Sequence, residues 1–419
     1  MPDHIKFDRN TAIAQARAMA DRKRRTRTGF SGLEAQAHTP RPLLQAKAIL
    51  ITGSTGFVGS YLIEKLLRET SALLYCLVRA KNQQKGAERI KSALETYSLS
   101  ASGFEGRIIA VPGDLPKLRF GVEASRYNEM LDHVDTVFHV GASINWMAEY
   151  DDLKQTNIIG TEQILKFATS GSAKTLHYVS TTGVFAALEG AKLGYLNKDV
   201  PLKRYRNHFV SYFKTKWLAE LKVQAALSSG LDGFILRPGF ISGPIDGGCT
   251  LPDQDLTRLF LLTSIEIGAF PDVNIPIDVM PVDILVQAIF NVARKARNNK
   301  RIYNISNPFG LSLAEIGAKA QGLGLSMELV SYEEWQKRLL LPSNNLAKRV
   351  IQMINAKQPG AREGVIKHFA NIPYYQENID TIQALERTMI RCPPVLDMIE
   401  HHLRQNLAKY SQPQWRFGG

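Results

Sequence analysis

The chain has 419 residues, 44% of them apolar and 22% charged, a globular balance that excludes a wholly disordered or fibrous protein. Its formal net charge is +13, and no apolar run reaches the roughly eighteen residues that a bilayer span needs. Three scattered cysteines, Cys76, Cys249 and Cys392, form neither a disulfide framework nor a paired-ligand spacing, so no metal site is expected. The opening MPDHIKFDRN has no apolar signal core, which places the chain in a reducing cytoplasm as an expectation.

Residues 1–45 hold nine Lys/Arg and four Asp/Glu, so +5 of the net charge sits in the first tenth of the chain. The cluster Arg22, Lys23, Arg24, Arg25 and Arg27 carries most of it. Such a cluster suits a phosphate-rich partner. No aromatic residues interleave with it and no nucleic-acid module follows, so residues 1–46 read as a basic, solvated, mobile tail and no nucleic-acid partner is expected. Residues 11–25 fit a short helix, and the stretch to Pro42 reads as linker. The remaining charge suits an anionic cofactor or an acidic protein partner.

From Lys47 the pattern changes. AILIT (48–52) is a short β-branched apolar run, the signature of a strand buried on both faces. LLYCLV (73–78), RIIAV (107–111), DTVFHV (135–140), TLHYVS (175–180) and GFILR (233–237) repeat it. Helical spacing separates them, after the first glycine-rich turn and over 84–97, about 151–169 and about 208–228. Alternating strands and helices predict an α/β fold, a doubly wound Rossmann-type parallel sheet built from right-handed βαβ units. After Gly243 the alternation fades. PIDGGCTLPDQD reads as loop, DLTRLFLLTSIEIG as helix and RIYNIS (301–306) as one further strand. From Leu311 the chain reads as mainly helical, with breaks at Pro359, Pro373 and Pro393-Pro394. The expected organisation is therefore the tail (1–46), a nucleotide-binding domain (47–243, returning around 278–306), and a smaller, mostly helical substrate lobe (244–277 and 307–419).

Thr52-Gly53-Ser54-Thr55-Gly56-Phe57-Val58-Gly59 follows the first strand and opens the first helix. In that context Gly53 permits a tight turn, Gly56 lets the backbone approach a pyrophosphate, and Gly59 lets helix and strand pack closely. Where an NAD enzyme places an acid on the ribose hydroxyls, about twenty residues beyond the loop, this chain has Arg79 with Lys81 nearby. A guanidinium matches a 2′-phosphate, so NADPH is the expected cofactor.

Tyr212 and Lys216 form a Tyr-x-x-x-Lys pair, which a helix places on one face one turn apart. An ammonium beside a phenol is expected to lower its pKa and ready it for proton exchange with a carbonyl or alcohol oxygen. Tyr61 and Lys65 repeat the string in the helix after the glycine loop and read as structural. The hydroxyl cluster Ser180-Thr181-Thr182 ends the fifth strand, where Thr181 or its neighbour Thr182 can hydrogen-bond the reacting oxygen.

In this order, glycine loop, strand-end hydroxyl and Tyr-x-x-x-Lys resemble the extended short-chain dehydrogenase/reductases. CLVRA (76–80), GDL (113–115), HVGASINW (139–146), NIIGT (157–161), SYFKTKWLAE (211–220), RPGFISG (237–243) and YEEW (332–335) are similar to thioester reductase domains. Those terminate non-ribosomal peptide synthetases, polyketide synthases and carboxylic acid reductases. The likeness covers about residues 47–340. It implies that Gly53, Thr55, Gly56, Phe57, Val58 and Gly59 cradle the pyrophosphate and that Arg79 and Arg89 hold the 2′-phosphate. It further implies that Asp114 and Leu115 sit by the adenine, that Ala142, Ser143, Pro238 and Gly239 line the cofactor, and that Thr181, Tyr212 and Lys216 form the catalytic triad. The family usually has Gly before the tyrosine and Ser before the lysine; Ser211 and Thr215 stand here, and neither change removes a functional group.

The implied activity is NADPH-dependent release of an acyl thioester as aldehyde and, after a second hydride, alcohol. The acyl group would be borne by an acyl or peptidyl carrier protein or by CoA, the carrier being met in trans by a free-standing or excised reductase. A fatty acyl-CoA reductase and a sugar-nucleotide epimerase or dehydratase are alternatives within the superfamily; a non-catalytic NADP(H) sensor is the alternative outside enzymes. Arg79 and the finer segments speak against the epimerase, and the intact Tyr212 and Lys216 against the sensor.

Overall fold

The computed structural model describes residues 40–145, 148–187, 211–245, 263–273, 276–277, 279–295, 301–307, 310–340 and 379–386, with residues 392, 394, 397 and 400. The helix expected over 11–25, the basic cluster, Cys249 and the breaks at Pro359, Pro373 and Pro393 lie outside them, as does most of the helix expected over 255–268, of which 263–266 is helical.

The apolar runs become strands because each is buried on both faces. β1 (Ala48–Thr52) is buried along its whole length, and β2 (Leu73–Val78) everywhere but its first residue. Between them runs α1 (Phe57–Glu69), which turns Tyr61, Leu62, Ile63, Leu66 and Leu67 inward and pairs Lys65 with Glu69 and Arg68 with Glu64 outside. α2 (Gln83–Thr96) starts where the Asn82 side chain accepts the Lys85 N–H at 2.9 Å, an N-cap. β3 (Ile108–Pro112), α3 (Ala124–His133) and β4 (Thr136–His139) follow. Next come α4 (Tyr150–Lys154), a π-helical turn (Gln155–Ile159) and α5 (Gly160–Ala168), then β5 (Thr175–Val179), α6 (Ser211–Ser228) and β6 (Asp232–Pro238).

Together with β11 (Ile302–Ile305), six of these strands form a seven-stranded parallel sheet in the order β11-β6-β5-β4-β1-β2-β3. The order reverses between β1 and β4, the switch point at which doubly wound sheets bind ligands. Alternate residues feed two cores. Ile49, Ile51, Leu74 and Cys76 pack under α1, α2 and α7 (Val282–Arg294); Leu50, Leu77, Val137 and Tyr178 pack under α3, α5 and α6. The edge strand β11 is protected on its open side. The Asp380 and Thr381 side chains at the start of α10 (Ile379–Leu385) accept the N–H groups of Asn304 and Ser306 at 3.0 and 2.8 Å.

A third core lies apart from the sheet, around Phe270, Ile316 and Trp335. It joins α8 (Leu313–Gly322) and α9 (Tyr332–Leu339), and the Trp335 indole N–H donates to Ser264 Oγ at 3.2 Å. The described part of this lobe also contains short strand pairs that no periodicity announces. β7 (Phe240–Ser242) runs parallel to β10 (Val279–Pro281), and β8 (Ala269–Pro271) to β13 (Glu328–Val330). β9 (Pro276–Ile277) is antiparallel to β12 (Leu311–Ser312). No helix among the described residues is long and apolar enough to cross a membrane.

Candidate active site

The glycine loop sits at the sheet's switch point. Gly53 has φ +73°, a conformation side chains avoid, and a Cβ there would stand 2.8 Å from the Gly141 nitrogen after β4. A Cβ on Gly59 would stand 2.0 Å from the Gly53 carbonyl oxygen, so only glycine lets α1 close on the loop. Gly56 caps α1 without a side-chain hydrogen bond, leaving first-turn N–H groups and positive dipole potential for an anion. The Phe57 ring packs against Tyr61 and Tyr97, and Val58 against the core. What these two offer a ligand is their backbone. This cradle fits the pyrophosphate of a dinucleotide. The second Tyr-x-x-x-Lys is structural, as expected: Tyr61 belongs to the core, and Lys65 pairs with Glu69 at 2.7 Å.

Arg79 follows β2 with its side chain exposed, and the Arg89 guanidinium, one helix away, donates to the Arg79 carbonyl. Arg89 is thus held at the backbone of residue 79. At the end of β3, the Asp114 N–H donates to the Phe120 carbonyl at 2.7 Å. Leu115 is a core residue that fills the space beside Gly160. Ala142 and Ser143 follow β4, where Asn157 from the π-turn holds the Ser143 backbone from both sides.

Thr181 is half-buried, and its Oγ1 accepts the Gly183 N–H at 3.0 Å, which leaves its own proton to donate elsewhere. Thr182 is buried at 9% exposure. Tyr212 and Lys216 lie on α6, and Lys216 reaches across to donate to the Val179 carbonyl at 2.8 Å. The ammonium sits 4.3 Å from the Tyr178 ring centroid. Lys216 therefore arrives one residue before the hydroxyl cluster. Pro238 ends β6, and the Gly239 N–H donates to Ile305 O at 3.3 Å.

The electrostatics correct one expectation. Burial raises the Tyr212 phenol well above its ordinary value, rather than Lys216 lowering it. Burial also pushes the Lys216 ammonium down to about 7, with Glu220 opposing that shift. The ammonium is spent on a backbone carbonyl and an aromatic face, so desolvation dominates both groups.

Sequence reasoning missed the supports of this site. Glu220 and Arg237 form an ion pair at 2.6 Å with both side chains at 0% exposure. Glu220 also accepts the Ser180 hydroxyl at 2.5 Å, and the Arg237 guanidinium lies 4.8 Å from the Phe185 ring centroid. The signal for Glu220 was present, one turn beyond Lys216 on the same helix face. Asn157 opens the NIIGT segment that the sequence singled out, but the π-turn that aims its side chain at Ser143 sits inside an ordinary helical pattern.

Comparison with known proteins agrees with this architecture. The model of the NAD-binding family described as male sterility protein matches residues 51–289. A linear gramicidin synthase of Brevibacillus parabrevis is 33% identical over 292 residues, 70% of this chain and 6% of that protein. The non-canonical nonribosomal peptide synthetase FrzA of a Cladobotryum species is 31% identical over 351 residues, covering 81% of this chain and 34% of its own. The chain thus spans about a third or less of these relatives. Among solved structures, the terminal R domain from the myxalamid PKS-NRPS biosynthetic pathway superposes with a TM-score of 0.78 at 29% identity, over 88% of this chain and 92% of that one. A Rossmann-type sheet, a dinucleotide cradle at its switch point and homology to terminal reductase domains converge: the chain belongs to the male sterility protein family of NAD(P)-binding reductases, within the extended short-chain dehydrogenase/reductases.

Proposed function

We propose that this protein is an NADPH-dependent thioester reductase that releases an acyl group from a carrier protein or CoA as aldehyde, and by a second round as alcohol. The observation that carries the reading is the reach of Lys216 from α6 to the Val179 carbonyl at the carboxyl end of β5, one residue before the hydroxyl cluster and one helical turn from Tyr212. The exposed Arg79, supported by Arg89, favours a 2′-phosphate over a free hydroxyl.

The nicotinamide, when bound, supplies a hydride for the thioester carbonyl carbon. Every other task falls to the chain. The first-turn N–H groups of α1 hold the pyrophosphate. The free Thr181 proton and the Tyr212 phenol donate to the carbonyl oxygen as negative charge grows on it. A phenol raised by burial stays protonated at neutral pH, the state a proton donor needs. Tyr212 passes its proton to that oxygen, and the hemithioacetal collapses to aldehyde and free thiol. Lys216, held on the Val179 carbonyl one helical turn from Tyr212, would orient the ribose end of the cofactor. The half-exposed Thr181, rather than the buried Thr182, is the proposed hydroxyl donor.

We also assign residues 47–243, with the return at 278–306, to the dinucleotide, and 244–277 with 307–419 to the acyl group. The separate core around Trp335 supports that division for residues 263–273 and 311–340, whereas α10 packs on the sheet, with Ala384 and Leu385 in its core. A basic chain suits an acidic carrier as donor. The test mixes the purified protein with NADPH or NADH and with acyl-carrier and acyl-CoA thioesters, follows reduced nicotinamide, and identifies products by mass. NADPH-dependent aldehyde or alcohol is expected. Tyr212→Phe should lose about 100-fold or more in turnover while remaining folded. Near-full turnover in folded Tyr212→Phe, or turnover on a sugar nucleotide but on no thioester, sinks the reading.

A further inference from the structure

His139 ends β4 with its ring 1% exposed, and nothing in the reaction above uses it. Its Nδ1 lies 2.8 Å from Thr52 Oγ1, and its Nε2 lies 3.0 Å from Thr161 Oγ1. The protons on this chain can be placed by counting. Thr161 has one hydroxyl proton, and the 2.6 Å contact to the Asn157 carbonyl requires it. Thr161 can then only accept from His139, so Nε2 carries the ring proton. Nδ1 is left as an acceptor, and Thr52 donates to it while accepting the Gly141 N–H at 3.0 Å. The sequence of donors is Gly141 N–H to Thr52, Thr52 to His139, His139 to Thr161, and Thr161 to Asn157.

Both ends of that chain lie in the site. Gly141 is the close neighbour of Gly53 in the phosphate loop. Asn157 clasps Ser143 through both backbone groups and donates to Thr215 Oγ1 at 2.9 Å; Thr215 donates to the Tyr212 carbonyl at 2.8 Å. One neutral imidazole therefore connects the loop after β1, the loop after β4 and the helix that carries Tyr212.

We propose that His139 is a positioning residue for the dinucleotide site: as the neutral Nε2–H tautomer it locks the phosphate loop, the Ala142-Ser143 loop and the Asn157 π-turn into one arrangement. The proposal rests on the dinucleotide reading above. A protonated ring would present two donors, and Thr52 would have to reverse its hydroxyl in a site without water access. Burial, with the Lys216 charge adding to it, pushes His139 down to about 3, so the ring stays neutral across the working range.

Two arms test this. Nitrogen-15 labelling of histidine reads the tautomer without any cofactor: His139 should show a protonated Nε2 and a bare Nδ1, unchanged from pH 7.5 to 5. A protonated Nδ1, or titration near the ordinary histidine value, overturns the proposal. The second arm measures NADPH dissociation constants by fluorescence titration. Thr161→Val, which keeps the shape and removes the acceptor, should weaken NADPH binding about tenfold. Thr161→Ser should restore it. His139→Leu should weaken binding further; if that variant does not fold, the Thr161 pair carries the comparison. Wild-type affinity in Thr161→Val, or equal losses in Val and Ser, overturns the proposal. A wild-type chain that binds no nicotinamide dinucleotide overturns the functional reading and the dinucleotide half of this proposal together, and the tautomer arm distinguishes that result from a misassigned ring.

Discussion

Arg79 stands where an acid would select NAD, and its side chain is exposed while its carbonyl is held by Arg89. Under the proposed function the two arginines take different tasks: Arg89 ties α2 to the strand end, and the exposed Arg79 is the one that would meet the 2′-phosphate. Charge-assisted hydrogen bonds to a phosphate contribute about 1.5–3 kcal/mol. Arg79→Ala should therefore raise KM for NADPH by about 10–100-fold and leave KM for NADH within about twofold. Steady-state kinetics with both dinucleotides checks this. Equal losses for both would show that Arg79 serves the loop's shape and not the 2′-phosphate. Arg79 was legible in the sequence because its position is defined by counting from the glycine loop. Leu115 was legible only as a position, because whether a side chain faces ligand or core depends on α5 packing over it at Gly160.

On α6 the residues Tyr212, Lys216 and Glu220 recur every fourth position, so one face carries the proposed proton donor, the ammonium and the carboxylate that raises it. Glu220 ties this helix to the hydroxyl cluster through Ser180 and to β6 through Arg237. Glu220→Gln strands the Arg237 charge with no exposure to water, which should cost about 3–5 kcal/mol. Glu220→Gln with Arg237→Met removes both charges and should recover most of that stability. It should not recover the pH profile. Lys216, already down to about 7, is raised by Glu220 and faces the ring of Tyr178 and the buried His139, neither of which replaces that charge. The ammonium should then be lost at lower pH, and the alkaline fall of kcat/KM should begin earlier than in wild type. An unchanged alkaline limb in the folded double variant refutes the role given to Glu220. The strands β1 and β2 were readable to the residue, because a strand buried on both faces is an uninterrupted apolar run. The pairing of Glu220 with Arg237 was not, since it joins a helix to a strand whose register no local pattern states. The two- and three-residue strands of the lobe are too short to show a period at all.

At the scale of the whole molecule, the sheet is the site's foundation and also its acid-sensitive part. His139 and His177 sit in adjacent central strands, paired β4 to β5, and burial pushes each down to about 3. The His177 ring is stacked 5.4 Å from Phe234 and lies 4.6 Å from Phe138. The folded chain keeps both imidazoles neutral, whereas the unfolded chain protonates them near the ordinary histidine value of about 6.5. Between those limits the unfolded state binds more protons, so stability falls as pH falls through 6.5 and continues to fall towards 3. Each ring contributes a slope of up to about 1.4 kcal/mol per pH unit. Carboxylates with lowered values, Glu129 and Glu315 among them, enter only below about 4.5, and the lowered lysines Lys174 and Lys216 act at neutral pH and above. The interval from pH 6 to 5 thus isolates the histidines. Denaturant unfolding at pH 7.5, 6 and 5 should reveal an uptake approaching two protons at the lower end. His177→Phe keeps a ring between Phe138 and Phe234 and removes a nitrogen that has no partner, so it should fold and bring the uptake close to one. A slope that His177→Phe leaves unchanged would show that the His177 ring is not one of the groups that take up protons on unfolding.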